Sequence, residues 1–321
     1  MFSSRTAGMS EHTPRTNPLA FALMLGALAL IVIARYRWGF LEDKRWQMVH
    51  VGLGWAACFG IYAAFHGWRA LRRLSKTTWF VLGTTAVSMT LFWYFGRSDG
   101  YREIFGAPPM DHDTFWPLVP FMYFASMGTL LRLVIPFILA RVVLGRRPRE
   151  LGLPPLFRAG ASERHDAVPG VPYIYLALFV AMAPVLWLAA QGAAFQAKYP
   201  LAHDIVDPNG GIWIGHLLVY EAFYFLVFLS GESFWRGFIA FGCEKDLGLY
   251  GLAFMCVPYV TGHFGKPFSE TLGAIAAGTT LGFLALRHRS VWWGVALHYS
   301  IALSMDLLSI MNNGYVIYAG D

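Results

Sequence analysis

Long apolar runs, separated by short polar segments, dominate the pattern of the chain. A helix needs about 20 apolar residues to cross the hydrocarbon core of a bilayer, and only helices or closed barrels satisfy their backbone polar groups there. The pattern therefore predicts an all-α, polytopic transmembrane helical bundle of about nine spans, with eight or ten as the alternatives. The predicted spans are 18–35, 47–66, 78–96, 114–144, 172–195, 212–240, 248–264, 270–287 and 291–311.

The fourth predicted span, residues 114–144, is longer than one crossing needs and contains three prolines. Neighbouring helices can support a span that proline kinks, so this run is counted once. The longest hydrophilic stretch follows it, and we expect residues 146–171 to form a loop or an interfacial segment. This stretch separates an amino-terminal transmembrane region of about four spans, residues 1–145, from a carboxy-terminal domain, residues 172–321.

Composition agrees with a membrane protein, because 56% of the residues are hydrophobic and only 14% are charged, against roughly 25% charged in soluble domains. The net charge of +6 comes from short Arg and Lys clusters between apolar runs, where cytoplasmic loops concentrate them. We therefore expect the lipid bilayer, and not nucleic acid, to be the partner of these segments. Cys58, Cys243 and Cys256 form no close-spaced motif, so neither a disulfide framework nor a cysteine metal site is expected.

The basic clusters also predict an orientation. With nine spans, residues 69–76, residues 141–149 and Arg287 lie on one side, and the other side is less basic except around residues 35–45. The positive-inside rule then places the amino terminus in the cytoplasm, with the chain in the plasma (inner) membrane. No small-residue cleavage pattern follows the first apolar run, so this run is interpreted as a retained span.

Polar groups within spans are costly in a bilayer and are functional candidates for that reason. Most of them lie in the carboxy-terminal half. Glu232 and Arg236 are four residues apart on the sixth span, so their side chains share one helical face and are close enough to pair. The full set is His216, Glu221, Glu232, Arg236, His263, Glu270 and His298.

Glu232, His263 and His298, from three different spans, are the predicted catalytic residues. A buried carboxylate can take a proton from water, and two imidazoles can orient the water or stabilise the developing oxyanion. The same residues also suit a zinc ion held by two histidines and a carboxylate, although no HExxH spacing supports it. We therefore expect no metal or other cofactor, with zinc bound by Glu232, His263 and His298 as the alternative.

Three further residues are predicted to support this site. Arg236 is interpreted as positioning the catalytic carboxylate or as locking the helix in the bundle. Glu221 lies about 16 Å from that carboxylate along the same helical face, too far to join the site, and is interpreted as a structural acid paired with Arg132 or His216. Glu270 opens the eighth span, where a carboxylate suits the positive end of the helix dipole.

Three segments, ESFWRG, YVTGH and SVWWGVALH, follow one another in an order that resembles a known set of signatures. They are similar to those of the CAAX prenyl protease and bacteriocin-processing (CPBP, Abi) family of intramembrane endopeptidases, whose motifs are Glu-Glu-x-x-x-Arg, Phe-x-x-x-His, and a late His with Asn four residues on. The resemblance covers about residues 170–311, and RELGL at 149–153 is similar to an element that often precedes this domain. It implies substrates that are lipidated or hydrophobic-tailed proteins, exported peptides or sorting signals.

The chain departs from these motifs at three positions. Gly231 stands where the family has its first glutamate, which the resemblance implies would activate water, and Ala302 stands where Asn would help to hold the oxyanion. Tyr259 replaces Phe in the second motif. Adjacent helical residues point about 100° apart, so Glu232 can take the place of a glutamate at 231 only through a local rotation or a π-bulge.

The predicted depths of the catalytic residues conflict. If the sixth span ends soon after Glu232, then Glu232 and His298 lie near the inner side, whereas a straight seventh helix carries His263 about 23 Å away. Three explanations remain open. Residues 246–255 run along the interface, Pro258 breaks the helix, or the number of spans is wrong by one.

The sequence therefore predicts an intramembrane endopeptidase of the glutamic type. Glu232 is the general base, the two histidines bind water or stabilise the tetrahedral intermediate, and the partner is a protein or peptide substrate at the membrane. The alternative, favoured by Gly231 and Ala302, is a catalytically inactive member that binds a membrane partner. A proton-coupled transporter using Glu221 and Glu232 is a third hypothesis, although no inverted repeat is evident.

Overall fold

Helices account for most of the chain in the computed structural model, which describes residues 15–154 and 171–319. The predicted all-α class is confirmed. In the amino-terminal region the helices are α1 (Pro18–Trp38), α2 (Gln47–His66), α3 (Trp68–Arg72), α4 (Lys76–Phe95), α5 (Ser98–Phe105), α6 (Val119–Thr129) and α7 (Ile135–Val143). A π-helical turn, Leu130–Val134, joins α6 to α7.

The described carboxy-terminal residues form further helices and a small sheet. The helices are α8 (Val171–Ala190), α9 (Ala193–Gln196), α10 (Ile214–Glu232), α11 (Gly242–Leu247), α12 (Tyr250–Thr261), α13 (Phe268–His288) and α14 (Trp292–Asn312). The segment Ser233–Phe241, which we call the π segment, is π-helical and joins α10 to α11. Strands β1 (Gly211–Trp213) and β2 (Val316–Tyr318) pair in parallel, which ties the chain after α14 to the start of α10.

Seven helical stretches of the described chain are long and apolar enough to cross a membrane, so the prediction of an integral membrane protein is confirmed. Three of them are composite, Lys44–His66, Trp116–Val143 and Ile214–Leu247. All nine predicted spans are largely helical, but α12 has only 12 residues. Its length of about 18 Å cannot cross a core of about 30 Å, so the predicted span 248–264 is too short. α4 has 20 residues but is not among the seven, since threonines interrupt its apolar sequence.

Local sequence signals set both ends of α1. The Asn17 side chain accepts hydrogen bonds from the N–H groups of Leu19 and Ala20, and Pro18 occupies the first helical position, where its missing N–H costs nothing. At the other end, Gly39 has a φ of 61°, the left-handed conformation that ends many helices and that glycine adopts without strain. The predicted first span therefore begins where expected and extends slightly further.

The arginine-rich loops meet at one end of the bundle. The N–H of Val291 donates to the carbonyl of Gly152 at 2.8 Å, and the Asp246 carboxylate accepts a hydrogen bond from the N–H of Ser75 at 2.6 Å. Asn17, at the start of α1, also contacts this surface. We call it the basic end, and it comprises residues 66–76, 144–152, 244–250 and 287–291.

The path from α10 to α12 brings the predicted catalytic residues to one depth. The composite helix Ile214–Leu247 continues for about 22 Å beyond Glu232. The fully buried α12 then runs back beside the π segment for about 18 Å, so that His263, just after its end, returns to the level of Glu232. The predicted end of the sixth span at residue 240 was therefore too early, and this error produced the conflict in depth. Pro258 lies within α12 without ending it at that residue.

Candidate active site

Glu232 is the centre of a buried polar cluster where α10 meets the π segment. Its Oε1 atom accepts hydrogen bonds from Arg236 Nη1 at 2.8 Å and from His298 Nδ1 at 2.7 Å. The side chains of Glu232 and Arg236 are 1% and 0% exposed. The predicted pair of Glu232 and Arg236 is therefore present, and His298 on α14 completes the cluster.

Two neighbours shape this cluster. The guanidinium carbon of Arg236 lies 4.2 Å from the centre of the Tyr259 ring, whose negative face stabilises a cation. Gly294 leaves room for the carboxylate, because a Cβ atom at that position would lie 2.9 Å from Glu232 Oε2. A carboxylate with two charge-assisted hydrogen bonds on one oxygen is held in a single orientation.

Both histidines present Nε2 as a hydrogen-bond acceptor. His298 Nδ1 donates to the carboxylate, and His263 Nδ1 donates to the carbonyl of Tyr259 at 2.9 Å, so in each neutral ring the lone pair is on Nε2. His263 lies in the segment between α12 and α13, with its ring edge-on to the ring of Tyr259 at 4.7 Å between centroids.

A cavity of about 350 Å³ connects the three predicted catalytic residues, since Glu232, His263 and His298 all line it. Its wall also includes side chains from α5 and from the loop after α9. These belong to the surface opposite the basic end, which we call the cavity end and which comprises residues 96–115, 191–213 and 262–267. The cavity therefore opens away from the arginine-rich loops.

Exposure distinguishes the two partners in the carboxylate–imidazole pair. Glu232 is almost fully buried, and its Oε1 already has two donors, whereas the His298 side chain is 23% exposed. Glu232 Oε2 has no hydrogen-bond partner among the described residues and faces Gly294. His298 is therefore the more accessible of the two groups.

Glu270 lies in the first turn of α13, as expected for a carboxylate near a helix amino terminus. It forms an ion pair with Lys266 at 2.7 Å and accepts a hydrogen bond from the hydroxyl of Tyr199. Lys266 lines the cavity, whereas Glu270 itself stands behind it. Glu270 therefore holds a cation in the cavity wall and does not join the cluster around Glu232.

Glu221 is separate from the cluster, as its distance along α10 predicted. Its carboxylate accepts a hydrogen bond from the hydroxyl of Tyr299 at 3.1 Å. Arg132 and His216 bind other groups, so the interpretation that one of them pairs with Glu221 is wrong. Glu221 supports the packing of α10 against α14 and makes no contact with the catalytic candidates.

The departures from the family motifs lie in different surroundings. Gly231 lines the cavity directly before Glu232, and Ala302 is buried in an apolar cluster with Tyr220. Gly231 and Glu232 both lie in α10, and the π segment begins with the next residue. Because a π-helix winds with more residues per turn, it changes the relative directions of the side chains before and after it.

The zinc alternative remains a prediction. Within residues 15–154 and 171–319, no group of three His, Cys, Asp or Glu side chains is arranged to hold a metal ion. Glu232 uses Oε1 for Arg236 and His298, whereas its Oε2 atom has no hydrogen-bond partner among the described residues.

Among the buried Asp, Glu, Lys and Arg side chains of the described chain, two lie outside the predicted site residues. Asp306 on α14 accepts a hydrogen bond from the hydroxyl of Tyr220 at 2.6 Å. Arg132, considered from the sequence only as a partner of Glu221, has its side chain at the cavity wall. Both lie inside predicted spans, and a charged residue within an apolar run is the signal that points to them.

The order of these groups along the chain can be compared with known families. Residues 213–304 match the family model described as Type II CAAX prenyl endopeptidase Rce1-like. This segment is therefore similar to an Rce1-like domain. It contains Glu232, His263 and His298, and the resemblance to the CAAX protease family is confirmed. The Rce1-like domain covers less than a third of the chain. No curated protein and no solved structure matches the chain.

Proposed function

We propose that the protein is an intramembrane endopeptidase that processes membrane-associated or exported proteins or peptides. The observation that carries this proposal is the meeting of Glu232, His263 and His298 at one cavity, with both imidazoles offering an acceptor nitrogen. The Rce1-like domain supports the same class of reaction. The first four spans contribute packing, since α1 and α2 contact α12 and α13 directly, and they supply part of the cavity wall, including Phe92 and Arg132.

In the proposed reaction, His298 Nε2 takes a proton from water as the water oxygen attacks the carbonyl carbon of the scissile bond. Glu232 keeps the other proton on His298 Nδ1 and stabilises the imidazolium that forms, while Arg236 holds the carboxylate in place. His263 Nε2 accepts a hydrogen bond from the water and orients it. The proton on His298 then passes to the leaving amine as the C–N bond breaks. Glu232 thus acts through His298 rather than as the general base itself.

The cavity end is proposed to face outward. The positive-inside rule places the basic end, and with it the start of α1, in the cytoplasm. A substrate then reaches the cavity from the extracytoplasmic side. This direction favours exported peptides and proteins over prenylated cytoplasmic ones.

Cysteine labelling tests this orientation. Cys58, Cys243 and Cys256 are buried, so the native chain gives little background. Asp113→Cys, at the cavity end, is expected to react with a membrane-impermeant maleimide in intact cells. Arg73→Cys, at the basic end, is expected to react only after permeabilisation. The reverse pattern of labelling would show that the cavity faces the cytoplasm.

The proposed activity is tested with the purified protein in proteoliposomes and a proteome-derived peptide library, with new peptide termini identified by mass spectrometry. We expect the wild type to generate new termini and Glu232→Gln, His263→Ala and His298→Ala to generate almost none. Glu221→Gln, on the same helix but outside the cluster, is the control and is expected to cleave like the wild type. Equal cleavage by all of these variants would refute the assignment.

A catalytically inactive, partner-binding protein is the second candidate. It is favoured by Gly231 and Ala302, which lack the polar groups of the family motifs, and by the buried ion pair that engages Glu232. On this hypothesis, no new termini appear with any peptide, and photo-crosslinking from the cavity end captures a membrane protein in wild-type and Glu232→Gln cells alike.

A further inference from the structure

Hydrogen bonds and a ring contact hold the Arg132 side chain in one orientation beside the cavity. Its Nη2 donates to Ser230 Oγ at 3.0 Å and its Nε donates to the carbonyl of Gly128 at 3.4 Å. The Phe92 ring lies 4.5 Å from the guanidinium carbon. Gly128 is required for this arrangement, since a Cβ atom there would lie 2.5 Å from Nη2. Several elements therefore fix the direction of one side chain.

The charge of Arg132 has no carboxylate partner in the described chain. The side chain is only 6% exposed, within a helix that crosses the membrane, where an uncompensated cation is costly. The acceptors of its hydrogen bonds are a hydroxyl and backbone carbonyls, and its Nη1 has no acceptor among the described residues. A buried cation that lies in a cavity wall and has an N–H donor without an acceptor is a candidate for binding a ligand.

Gly231 leaves an open space in front of this donor. A Cβ atom on Gly231 would lie 3.8 Å from Arg132 Nη1 and 3.6 Å from Trp235 Nε1. The Trp235 side chain is also 6% exposed, and no described residue accepts a hydrogen bond from its Nε1. All three residues line the cavity. Two N–H donors on buried side chains therefore lie beside Gly231, where a Cβ atom would fit, at the wall of the cavity.

The charges along the cavity favour an anion. Only two acidic side chains, Asp99 and Glu232, are among its described lining residues, and Glu232 is already paired. Burial lowers the pKa of Lys198, and the nearby charges of Lys266 and Arg97 lower it further, whereas Glu270 and Asp99 raise it. The basic side chains in the lining are Arg97, Arg102, Arg132, Lys198 and Lys266. Two of them are paired with carboxylates behind the lining, Arg102 with Asp204 and Lys266 with Glu270.

We propose that Arg132 Nη1 and Trp235 Nε1, with the space beside Gly231, bind a carboxylate of the peptide substrate. Two separate N–H donors match the two oxygens of one carboxylate, and the charge of Arg132 strengthens both the attraction and the geometric preference. The carboxylate is either the carboxy terminus of the peptide or an Asp or Glu side chain near the scissile bond. This inference rests on the proposed endopeptidase function, because it assigns a subsite to the same cavity.

A tethered carboxylate tests the subsite without any substrate. Gly231→Asp places a carboxylate next to Arg132 and Trp235, and Gly231→Asn is the matched neutral control. We expect the full-length Asp variant to have the higher Tm in detergent, because its carboxylate compensates a buried cation. In the Arg132→Gln background this difference is expected to disappear. Equal Tm values for the two variants in the wild-type background would overturn the proposal, whether or not the protein is a peptidase.

Peptide cleavage then identifies the source of the carboxylate. Peptides found to be cut by the wild type are resynthesised with an amidated carboxy terminus, or with Asp and Glu replaced by Asn and Gln. Removing the recognised carboxylate is expected to lower kcat/KM roughly tenfold to a hundredfold, the effect of one hydrogen bond to a charged group. Arg132→Gln and Trp235→Phe are expected to lower cleavage of the carboxylate peptide and to leave the neutral peptide nearly unaffected.

The outcomes separate the subsite from the reaction. If only the amidated peptide is cut slowly, the ligand is the carboxy terminus, and if only the Asn and Gln peptide is cut slowly, it is an acidic side chain. If both neutral peptides are cut as fast as the parent, or if Arg132→Gln slows every peptide equally, the substrate-carboxylate proposal fails while the endopeptidase function stands. If the wild type cuts nothing, the proposed function fails. The difference in Tm between Gly231→Asp and Gly231→Asn still tests the anion site in that case.

Discussion

Replacing Glu232 by glutamine is expected to lower peptide cleavage by roughly 10³- to 10⁴-fold, the scale of losing the carboxylate that orients a catalytic histidine. Arg236 Nη1 and His298 Nδ1 both donate to Oε1, so an amide oxygen in that position can accept both hydrogen bonds. The variant then keeps the tautomer of His298 but loses the negative charge that stabilises the imidazolium formed during proton transfer.

The measurement is the rate of new-terminus formation in proteoliposomes, normalised to the amount of folded protein. His298→Asn removes the proposed base itself, so its cleavage rate is expected to fall by a similar factor. The double variant is expected to be no worse than either single variant, because both changes disable one unit. Wild-type cleavage by Glu232→Gln would mean that the glutamate serves only the buried ion pair.

The apolar pattern alone was enough to predict most of the architecture. Helices such as α1, α8 and α14 lie within a few residues of the predicted spans 18–35, 172–195 and 291–311, because long apolar runs have few alternatives in a bilayer. The number of crossings was less predictable. α12 is as apolar as a span, but it is buried by protein instead of lipid, and hydropathy does not distinguish these two environments.

The site was predicted as a set of residues but not as a geometry. Spacing predicted that Glu232 and Arg236 pair, because i and i+4 on a helix are neighbours. Spacing could not show that His298 Nδ1 would share the same carboxylate oxygen, since that contact joins α10 to α14 across the bundle. The roles of Glu232, His263 and His298 remain predictions, and the contact between His298 and Glu232 changes which of them is expected to meet water.

Arg132 illustrates what a sequence pattern omits. Its position within the predicted span 114–144 marks it as a costly charge, but the choice of partner depends on three-dimensional packing. The pattern favoured Glu221, whereas the structure surrounds the guanidinium with Ser230, Gly128 and Phe92. Gly231 could be seen from the sequence only as a missing glutamate. Only the three-dimensional structure shows that Gly231 lies beside the N–H donors of Arg132 and Trp235.

Removing only one member of the Glu232–Arg236 pair is expected to cost roughly 3–5 kcal/mol of stability, because it leaves a buried charge uncompensated. Both side chains are essentially unexposed, and Nε and Nη2 of Arg236 already lack hydrogen-bond partners among the described residues. In Glu232→Ala, the guanidinium keeps only the Tyr259 ring at 4.2 Å. Arg236→Met is expected to cost less, since the carboxylate retains His298.

The measurement is the free energy of unfolding in mixed micelles, with an exposed ion pair as the control. Arg289 and Glu244 are 49% and 35% exposed, so Arg289→Met is expected to cost no more than about 1 kcal/mol. Replacing both members, in Glu232→Met/Arg236→Met, is expected to recover much of the loss, because no charge then remains buried. Recovery of stability without any cleavage would separate the structural contribution of the pair from its part in the reaction. A cost for Glu232→Ala no greater than that for Arg289→Met would contradict the burial of an obligatory ion pair, and with it the requirement for Arg236 at this position.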